Sequence, residues 1–216
     1  MKFDTILFDL DGTLTDPAEG ITNSVAYALC KMGITPPNKN ELLKFIGPPL
    51  AESFEKYYNL SRTDSFKAVD LYREYFAPKG IFENRVYDGI PQMLETLKKS
   101  GKTLALATSK PVVFAKKILE HFDLEKYFDF VVGSNLDGTL TNKAEVVAVV
   151  LEQIKNVNLV NTAMVGDRCH DIIGSVKNNV TPVGVSFGYG SVEELKNAGA
   201  VYIASSVKEL TEFLMQ

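Results

Sequence analysis

The sequence predicts an α/β fold, a doubly wound and mostly parallel sheet with an inserted helical domain. Three observations support it. An early apolar run, residues 5–11, ends in carboxylates, and from residue 104 onward short apolar runs alternate with amphipathic stretches. Between these two regions lies a long segment with helical spacing and no convincing strand. Strands that alternate with helices in this way are typical of βαβ units.

Residues 5–11 are predicted to form the first strand. Five later runs rich in β-branched and aliphatic residues are predicted as further strands: 104–107, 130–132, 162–165, 181–185 and 201–203. Stretches with apolar residues at helical spacing separate them, and these are predicted as helices: 112–122, 143–154, 171–178 and 192–198.

Residues 16–83 are predicted to form a small helical domain, which leaves 1–15 and 84–216 for the core. Helical spacing predicts helices around 21–32, 50–58 and 65–76. The Gly-Pro-Pro turn at 47–49 is open to two interpretations, a plain connection or a substrate-selecting surface. An aromatic stripe is expected in the core of this domain: Phe54, Tyr57, Tyr58, Phe66, Tyr72, Tyr75 and Phe76.

Composition restricts the functional class. The 216 residues are 45% hydrophobic with a net charge of -4, and no basic cluster suggests a nucleic-acid partner. No apolar stretch approaches the roughly 20 residues of a membrane span. Two cysteines without CxxC spacing predict reduced structural thiols. We therefore expect a cytoplasmic protein with no membrane partner, a monomer by default.

Asp9 and Asp11 are the first candidates for chemistry. They are two residues apart at the end of the first predicted strand, so their side chains can converge where Gly12 turns the chain. Close like charges are costly, and Mg2+, which prefers oxygen ligands, would relieve the repulsion. A plain Asp-Gly turn is the competing interpretation.

The hexapeptide of residues 10–15, Leu-Asp-Gly-Thr-Leu-Thr, recurs unchanged at residues 136–141. The residue before the second copy is Asn135, where the first copy has Asp9. An amide is neither a phosphate-attacking nucleophile nor an anionic metal ligand. The second copy is therefore predicted to be a loop without chemistry.

Polar residues follow several predicted strands, at the edge where open α/β sheets bind ligands. Thr108, Ser109 and Lys110 follow the second strand, and Lys143 opens the helix after the third. Gly166 and Asp167 follow the fourth, with Asp171 one helical turn later. Each of these residues alone could be a turn or helix-cap residue, but their joint placement at one edge of the sheet favours a functional site.

With these motifs the sequence resembles the haloacid dehalogenase superfamily of aspartate-based phosphatases, which has a Rossmann-like core. The matching residues are Asp9-Leu-Asp-Gly-Thr13, Thr108, Lys143 and the Gly166–Asp171 stretch, in the family's order and across nearly the whole chain. The helical insertion resembles the alpha-helical cap of the phosphoglycolate phosphatase subgroup. Gly188-Tyr-Gly190 resembles the family's small-residue turn, for which a structural role is expected.

The resemblance implies a mechanism and a cofactor, Mg2+. Asp9 would attack phosphorus to form an aspartyl phosphate, and Asp11 would act as general acid and then base. Thr108 and Lys143 would hold the transferring phosphate with backbone groups near Gly12 and Ser109. The implied metal site comprises Asp9, Asp11 through its carbonyl, Asp167 and, through a bound water or its neighbours, Asp171. Lys110 is a weaker alternative to Lys143.

The expected activity is hydrolysis of a small phosphorylated metabolite, either phosphoglycolate-like or a nucleoside monophosphate. Two alternatives stay open: a phosphomutase of the beta-phosphoglucomutase type, and a phosphate-binding protein without turnover. Thr13 favours the phosphatase, because the mutases of this subgroup more often carry Val at that position. The roles of Arg168, Cys169 and His170 stay open.

Overall fold

The computed structural model describes residues 3–216. The chain divides into two compact units, one comprising the chain up to Asp16 with Val86–Gln216, the other Pro17–Arg85. The strands of the described residues are β1 (Thr5–Phe8), β2 (Thr15–Asp16), β3 (Arg85–Val86), β4 (Thr103–Pro111), β5 (Phe130–Ser134), β6 (Thr162–Gly166), β7 (Thr181–Val185) and β8 (Tyr202–Ala204).

The larger unit is built on a parallel sheet of the order β5-β4-β1-β6-β7-β8. Strand β1, with four buried residues, lies between β4 and β6 and is parallel to both. Strands buried on both faces need helices on each side, which explains their continuous apolar sequences. The chain proceeds outward from β1 in one direction and later in the other, so the fold class predicted from the sequence is confirmed.

The helices α1 to α4 belong to the smaller unit, and the rest belong to the larger. In chain order the helices are α1 (Ala18–Lys31), α2 (Lys39–Leu42), α3 (Leu50–Tyr58), α4 (Arg62–Tyr75), α5 (Ile90–Lys99), α6 (Val112–His121), α7 (Lys143–Gln153), α8 (Cys169–Lys177), α9 (Val192–Ala198) and α10 (Val207–Leu214). Short 3-10 turns occupy Leu43–Phe45, Glu125–Tyr127 and Leu159–Asn161, and a π-helical turn occupies Phe76–Gly80.

The smaller unit packs α4 against both α1 and α3. Phe54 is fully buried, with its ring 5.0 Å from that of Phe45. Tyr72 and Phe76 are also buried and stack on each other. The prediction for Phe66 was wrong: its side chain is 43% exposed, because it lies on the outer face of α4. The 47–49 turn precedes α3, with Gly47 at φ +103°.

Three further differences from the sequence-based elements concern the larger unit. Strand β1 ends at Phe8, so Asp9 and Asp11 lie beyond the strand and not within it. Strand β4 continues past residue 107 to Pro111 with a register shift. Helices α5 and α10 were not predicted. No helix within residues 3–216 combines the length and the apolar character that a bilayer span requires.

Candidate active site

Asp9 lies directly after β1, the strand where the sheet changes its direction of winding. Phe8 pairs with Val165 of β6, and the Asp9 N–H donates to the Val165 carbonyl at 2.9 Å. This bond continues the β1–β6 ladder for one residue and fixes the start of the turn. Asp9 is 6% exposed, so its carboxylate is held at the carboxyl edge of the sheet and nearly removed from solvent.

Three buried carboxylates meet at this edge. Oxygen atoms of Asp9, Asp167 and Asp171 all lie within 4.8 Å of one another. Asp167 follows β6, the immediate neighbour of β1, and Asp171 lies in the first turn of α8. Adjacent parallel strands bring their carboxyl ends together, so residues distant in sequence form one acidic cluster.

Lys143 supplies a cation to this cluster. Its Nζ lies 2.8 Å from Asp9 Oδ1 and 2.9 Å from Asp171 Oδ1, and it donates to the Ala107 carbonyl at 3.0 Å. The two carboxylate contacts have ion-pair distances without hydrogen-bond angles, and both oxygens are buried without a hydrogen-bond donor. Each therefore keeps a lone pair for another partner.

Glycines enclose Asp167. A Cβ at Gly12 would lie 2.2 Å from Asp167 Oδ2, and Gly12 also has φ +87°. A Cβ at Gly190 would lie 1.9 Å from the Asp167 carbonyl oxygen. The Tyr189 N–H donates to Asp167 Oδ2 at 2.8 Å. Only a backbone without side chains can approach this carboxylate so closely, and the approach fixes its orientation.

Asp171 has two roles that use its two oxygens separately. Oδ2 accepts a hydrogen bond from the Arg168 N–H at 3.0 Å, which caps the first turn of α8, while Oδ1 faces Lys143. A Cβ at Gly166 would lie 2.2 Å from the Asp171 carboxyl carbon. The glycine before Asp167 is thus required for α8 to begin this close to the end of β6.

Asp11 does not belong to the cluster of three carboxylates and pairs instead with Lys110. Lys110 Nζ contacts Asp11 Oδ2, and the two side chains are 6% and 13% exposed. Asp11 Oδ1 is buried without a hydrogen-bond donor. Lys110 was treated as a weaker alternative to Lys143, but the structure places both lysines at this edge, each on a different carboxylate.

Burial and charge shift the pKa values of the site. Burial raises the pKa of Asp11, against the lowering effect of Lys110. Burial, Asp171 and Asp9 together raise the pKa of Asp167 well above its usual value. Burial likewise raises the pKa of Asp171, against Lys143. Burial alone would lower the pKa of Lys143, but Asp171 and Asp9 outweigh it and raise that pKa. When all three carboxylates are ionised, the cluster has more negative charge than its single lysine neutralises.

Thr108 and Ser109 lie on the irregular end of β4 and not after it. Thr108 is buried, and its Oγ1 accepts a hydrogen bond from the Lys110 N–H at 3.2 Å. This contact bends the chain between Thr108 and Lys110, so the lysine side chain can reach Asp11. Ser109 is half-buried. Together with Gly12 these residues border the same edge of the sheet as Asp9.

Arg168, Cys169 and His170 do not join the acidic cluster. Arg168 Nε and the Cys169 N–H both donate to Glu194 Oε1 of α9, at 2.9 and 2.8 Å, and His170 is exposed. Glu194 was not predicted, although its position near the start of a helix suits a partner for a neighbouring arginine. Tyr189 was noted only for its flanking glycines. Cys30 and Cys169 are free thiols, and Cys30 is exposed.

The acidic cluster fits a divalent cation. Hard cations such as Mg2+ bind carboxylate oxygens, and Asp9 Oδ1 and Asp171 Oδ1 are buried acceptors without donors. Burial also raises the free-energy cost of keeping three ionised carboxylates beside a single lysine without another cation. Within the described chain this is a set of acidic side chains close enough to share one ion.

Comparison with known proteins places this architecture in a family. Residues 6–185 match the family described as haloacid dehalogenase-like hydrolase. A 5'-nucleotidase of Pseudomonas aeruginosa is 44% identical, with 99% of this chain and 96% of that protein covered. A crystal structure of a predicted phosphatase from Clostridium acetobutylicum is 52% identical, with a TM-score of 0.96 over 100% of this chain and 99% of the other.

Two more relatives widen the range of named activities. Tyrosine-protein kinase PtkA of Mycobacterium tuberculosis is 34% identical over 97% of this chain and 72% of that protein. A phosphoglycolate phosphatase of Vibrio parahaemolyticus is 29% identical, with 96% of this chain and 94% of that protein covered. The chain belongs to the haloacid dehalogenase-like hydrolase family.

Proposed function

We propose that the chain is a Mg2+-dependent phosphatase that hydrolyses a small phosphomonoester through a phosphorylated Asp9. Family membership and the names of the relatives make it a phosphoric monoester hydrolase. The observation that carries the finer proposal is the position of Asp9. Its buried carboxylate faces Lys143 at 2.8 Å within a cluster that has the charge and the acceptors for a divalent cation.

In the first half-reaction, an Asp9 carboxylate oxygen attacks phosphorus and the bond between phosphorus and the ester oxygen breaks. The leaving alkoxide takes the proton of Asp11. The raised pKa of Asp11, caused by its burial, supports this role because a general acid must hold its proton near the working pH. The products are the free alcohol and an acyl phosphate on Asp9.

In the second half-reaction, water attacks the same phosphorus and the bond between phosphorus and Asp9 breaks. The water gives a proton to the Asp11 carboxylate, which restores the acid for the next cycle. Inorganic phosphate leaves, and Asp9 is again ionised. One side chain performs both proton transfers because the leaving oxygen and the attacking water occupy the same side of phosphorus.

Positioning residues hold the phosphate during both steps. Lys143 and the Thr108 hydroxyl interact with the equatorial oxygens, assisted by backbone N–H groups near Gly12 and Ser109. Asp9, the Asp11 carbonyl and Asp167 would hold Mg2+, with Asp171 acting through water or through Lys143. When bound there, the cation would supply positive charge opposite the phosphate and the attacking carboxylate.

The substrate class follows from the relatives and not from the geometry of the site. A nucleoside monophosphate is the first candidate, because a 5'-nucleotidase shares 44% identity with this chain over nearly its full length. Phosphoglycolate is the second, from a more distant relative. Both substrates present a phosphate ester of a poorly acidic alcohol, which needs protonation on departure.

The decisive experiment measures inorganic phosphate released from a panel of nucleoside monophosphates, phosphoglycolate and sugar phosphates. We expect release with Mg2+, none in EDTA, and a loss of at least about a thousandfold in Asp9→Asn. Asp9→Asn is nearly isosteric, so its circular dichroism should match the parent. Retention of most activity in this variant would mean that the nucleophile is misassigned.

The two alternatives have separate signatures in the same panel. Conversion of glucose 1-phosphate to glucose 6-phosphate without phosphate release would establish a mutase. Binding of Mg2+ and of a phosphate analogue such as beryllium fluoride, with no turnover of any substrate, would establish a phosphate-binding protein. Either outcome would overturn the proposed hydrolase.

A further inference from the structure

The segment that follows β7, residues 186–191, contacts the turn that carries Asp11. We refer to these as the 186–191 loop and the 11–16 turn. A Cβ at Gly188 would lie 2.3 Å from the Gly12 carbonyl oxygen and 2.4 Å from Asp167 Cβ. The loop backbone thus lies directly on the 11–16 turn, with no space for a side chain between them.

Tyr189 of this loop forms hydrogen bonds to two aspartates, Asp167 of the acidic cluster and Asp16 of the 11–16 turn. Its N–H donates to Asp167 Oδ2 at 2.8 Å, and its hydroxyl donates to Asp16 Oδ1. The two groups differ in an experimentally useful way, because the N–H belongs to the main chain and survives any substitution except proline. The hydroxyl can be removed alone.

Main-chain hydrogen bonds close the 11–16 turn between Leu10 and Thr15, the residue directly before Asp16. The Gly12 N–H donates to the Thr15 carbonyl at 2.7 Å, and the N–H groups of Leu14 and Thr15 both donate to the Leu10 carbonyl. These bonds cross the turn from end to end. A constraint on Asp16 is therefore also a constraint on the backbone that bears the Asp11 carboxylate.

A second contact of the same loop reinforces the first. The ring of Phe187 meets the ring of Tyr87 edge-on, with centroids 5.2 Å apart. The Tyr87 N–H in turn donates to the Leu14 carbonyl at 3.1 Å, inside the 11–16 turn. The 186–191 loop thus supports that turn directly through Tyr189 and indirectly through Tyr87.

We propose that Tyr189 is a positioning residue for the general acid: its hydroxyl, bonded to Asp16, fixes the 11–16 turn so that Asp11 reaches the leaving oxygen. Its main-chain N–H separately orients Asp167. This inference rests on the proposed function, since it assigns Asp11 the proton transfers. In the first half-reaction, a misplaced acid slows only those substrates whose leaving group needs the proton, whereas the hydrolysis of phosphorylated Asp9 is common to all substrates.

The test compares Tyr189→Phe with the parent on two substrates. The measured quantity is kcat/KM, which reports the steps up to departure of the leaving group. For an alkyl phosphate, here a nucleoside monophosphate or phosphoglycolate, we expect kcat/KM to fall about tenfold, as for a lost hydrogen bond to a charged group. For p-nitrophenyl phosphate, whose leaving group departs without a proton, we expect kcat/KM to change by less than about twofold. The Mg2+ concentration for half-maximal activity stays unchanged because Asp167 keeps its main-chain donor.

Asp16 provides the test from the other side of the hydrogen bond. Asp16→Ala removes the acceptor and should reproduce the selective loss, whereas Asp16→Asn keeps an acceptor oxygen and should restore most of the rate. The double variant Tyr189→Phe with Asp16→Ala should lose no more than either single variant, since both remove the same contact. If one variant fails to fold, the other still measures the effect.

Tyr202→Phe is the matched control. Tyr202 also donates its hydroxyl to a carboxylate, Glu209 Oε1 at 2.8 Å, but between β8 and α10. We expect it to leave both substrates unaffected. Equal losses on the alkyl and nitrophenyl substrates, or none in Tyr189→Phe, would overturn the inference while the parent activity and the Asp9→Asn result still stand. An inactive parent would instead overturn the proposed function.

Discussion

Lys143 Nζ lies 2.8 Å from Asp9 Oδ1 and 2.9 Å from Asp171 Oδ1, so one buried ammonium bridges two carboxylates from different elements. Asp167 belongs to the same cluster without contacting this lysine in the described chain. The side chains of Lys143 and Asp9 are at most 9% exposed, so water offers little screening. Lys143 can therefore neutralise only part of the negative charge of three ionised carboxylates, and a divalent cation would neutralise the rest of that charge.

Replacement of Lys143 by Met should destabilise the protein and stop turnover. Removal of one partner of a buried ion pair leaves uncompensated charge, which costs about 3 kcal/mol in the free energy of unfolding. Urea titration in EDTA measures this cost. If Mg2+ binds the same carboxylates, as the proposed function requires, its addition should restore part of the lost stability and none of the activity.

The exposed pair Lys208 and Glu212 supplies the control for Lys143. These groups are 4.0 Å apart and their side chains are 87% and 66% exposed, so Lys208→Met should change the unfolding free energy by less than about 0.5 kcal/mol. If Lys143→Met changed the unfolding free energy as little as Lys208→Met, the carboxylates would have to be protonated at the working pH. The charge balance described above would then be wrong.

Asp167→Asn should stabilise the protein in EDTA and abolish its response to Mg2+. Burial and the neighbouring carboxylates raise the folded-state pKa of Asp167 well above its ordinary value of 3.8. The folded state then binds this proton more tightly than the unfolded chain, so stability falls as the pH rises from about 3.8 toward the raised pKa. The amide removes this penalty.

Thermal unfolding in EDTA between pH 5 and 8 tests the expected direction. The parent should become less stable across this range relative to Asp167→Asn, and saturating Mg2+ should reverse the order of the two proteins. Asp123→Asn, at a side chain that is 80% exposed, should follow the parent under every condition. A parent that gains stability over the variant with rising pH in EDTA would contradict the prediction.

The repeated hexapeptide illustrates how far the sequence predicts this site. Gly12 and Gly138 occupy the same place in the two copies and both have φ +87°, but Leu140 has φ +56° and its counterpart Leu14 has no positive φ. The first copy is largely buried beyond the end of β1, whereas Leu136 in the second is 45% exposed. The prediction that the second copy is a loop is confirmed. Identical letters therefore form different turns in different surroundings.

The core strands were predictable because their apolar runs are continuous and separated by helical periods, whereas their order in the sheet comes from the structure. Helix α5 was missed because no strand was predicted between the helical domain and residue 104, so no crossover was expected there. The partners of Asp11 and Asp16 could not be read from spacing, since Lys110 lies 99 residues from Asp11 and Tyr189 lies 173 from Asp16. Such pairs depend on strand register and on the bend of β4, which periodicity does not report.

Asp11→Asn should separate the two half-reactions. Without the acid, hydrolysis of an alkyl phosphate should fall by about a hundredfold to ten-thousandfold. With p-nitrophenyl phosphate the first step survives, but water activation does not, so we expect a burst of about one nitrophenol per protein followed by slow turnover. Rapid-mixing absorbance measures the burst.

Asp137→Asn is the control for Asp11→Asn, because Asp137 has the same place in the second hexapeptide copy. Asp137 accepts hydrogen bonds from Thr139 at an exposed loop, so this variant should keep the parent kinetics on both substrates. A full loss of the burst in Asp11→Asn would show that Asp11 is needed for attack on phosphorus and not only for proton transfer.

Lys110→Met should move the pH dependence of kcat/KM upward. Lys110 lowers the pKa of Asp11 against the effect of burial, so removal of the ammonium lets that pKa rise further. In the proposed mechanism the first half-reaction requires protonated Asp11, so the high-pH limb of kcat/KM for an alkyl phosphate should report its loss of that proton. This limb should shift to higher pH.

Lys98→Met is the control, because it breaks the partly exposed ion pair with Asp129. It should leave the high-pH limb of kcat/KM unchanged. A limb that stays fixed, or moves downward, in Lys110→Met would show that Lys110 does not set the protonation of the acid.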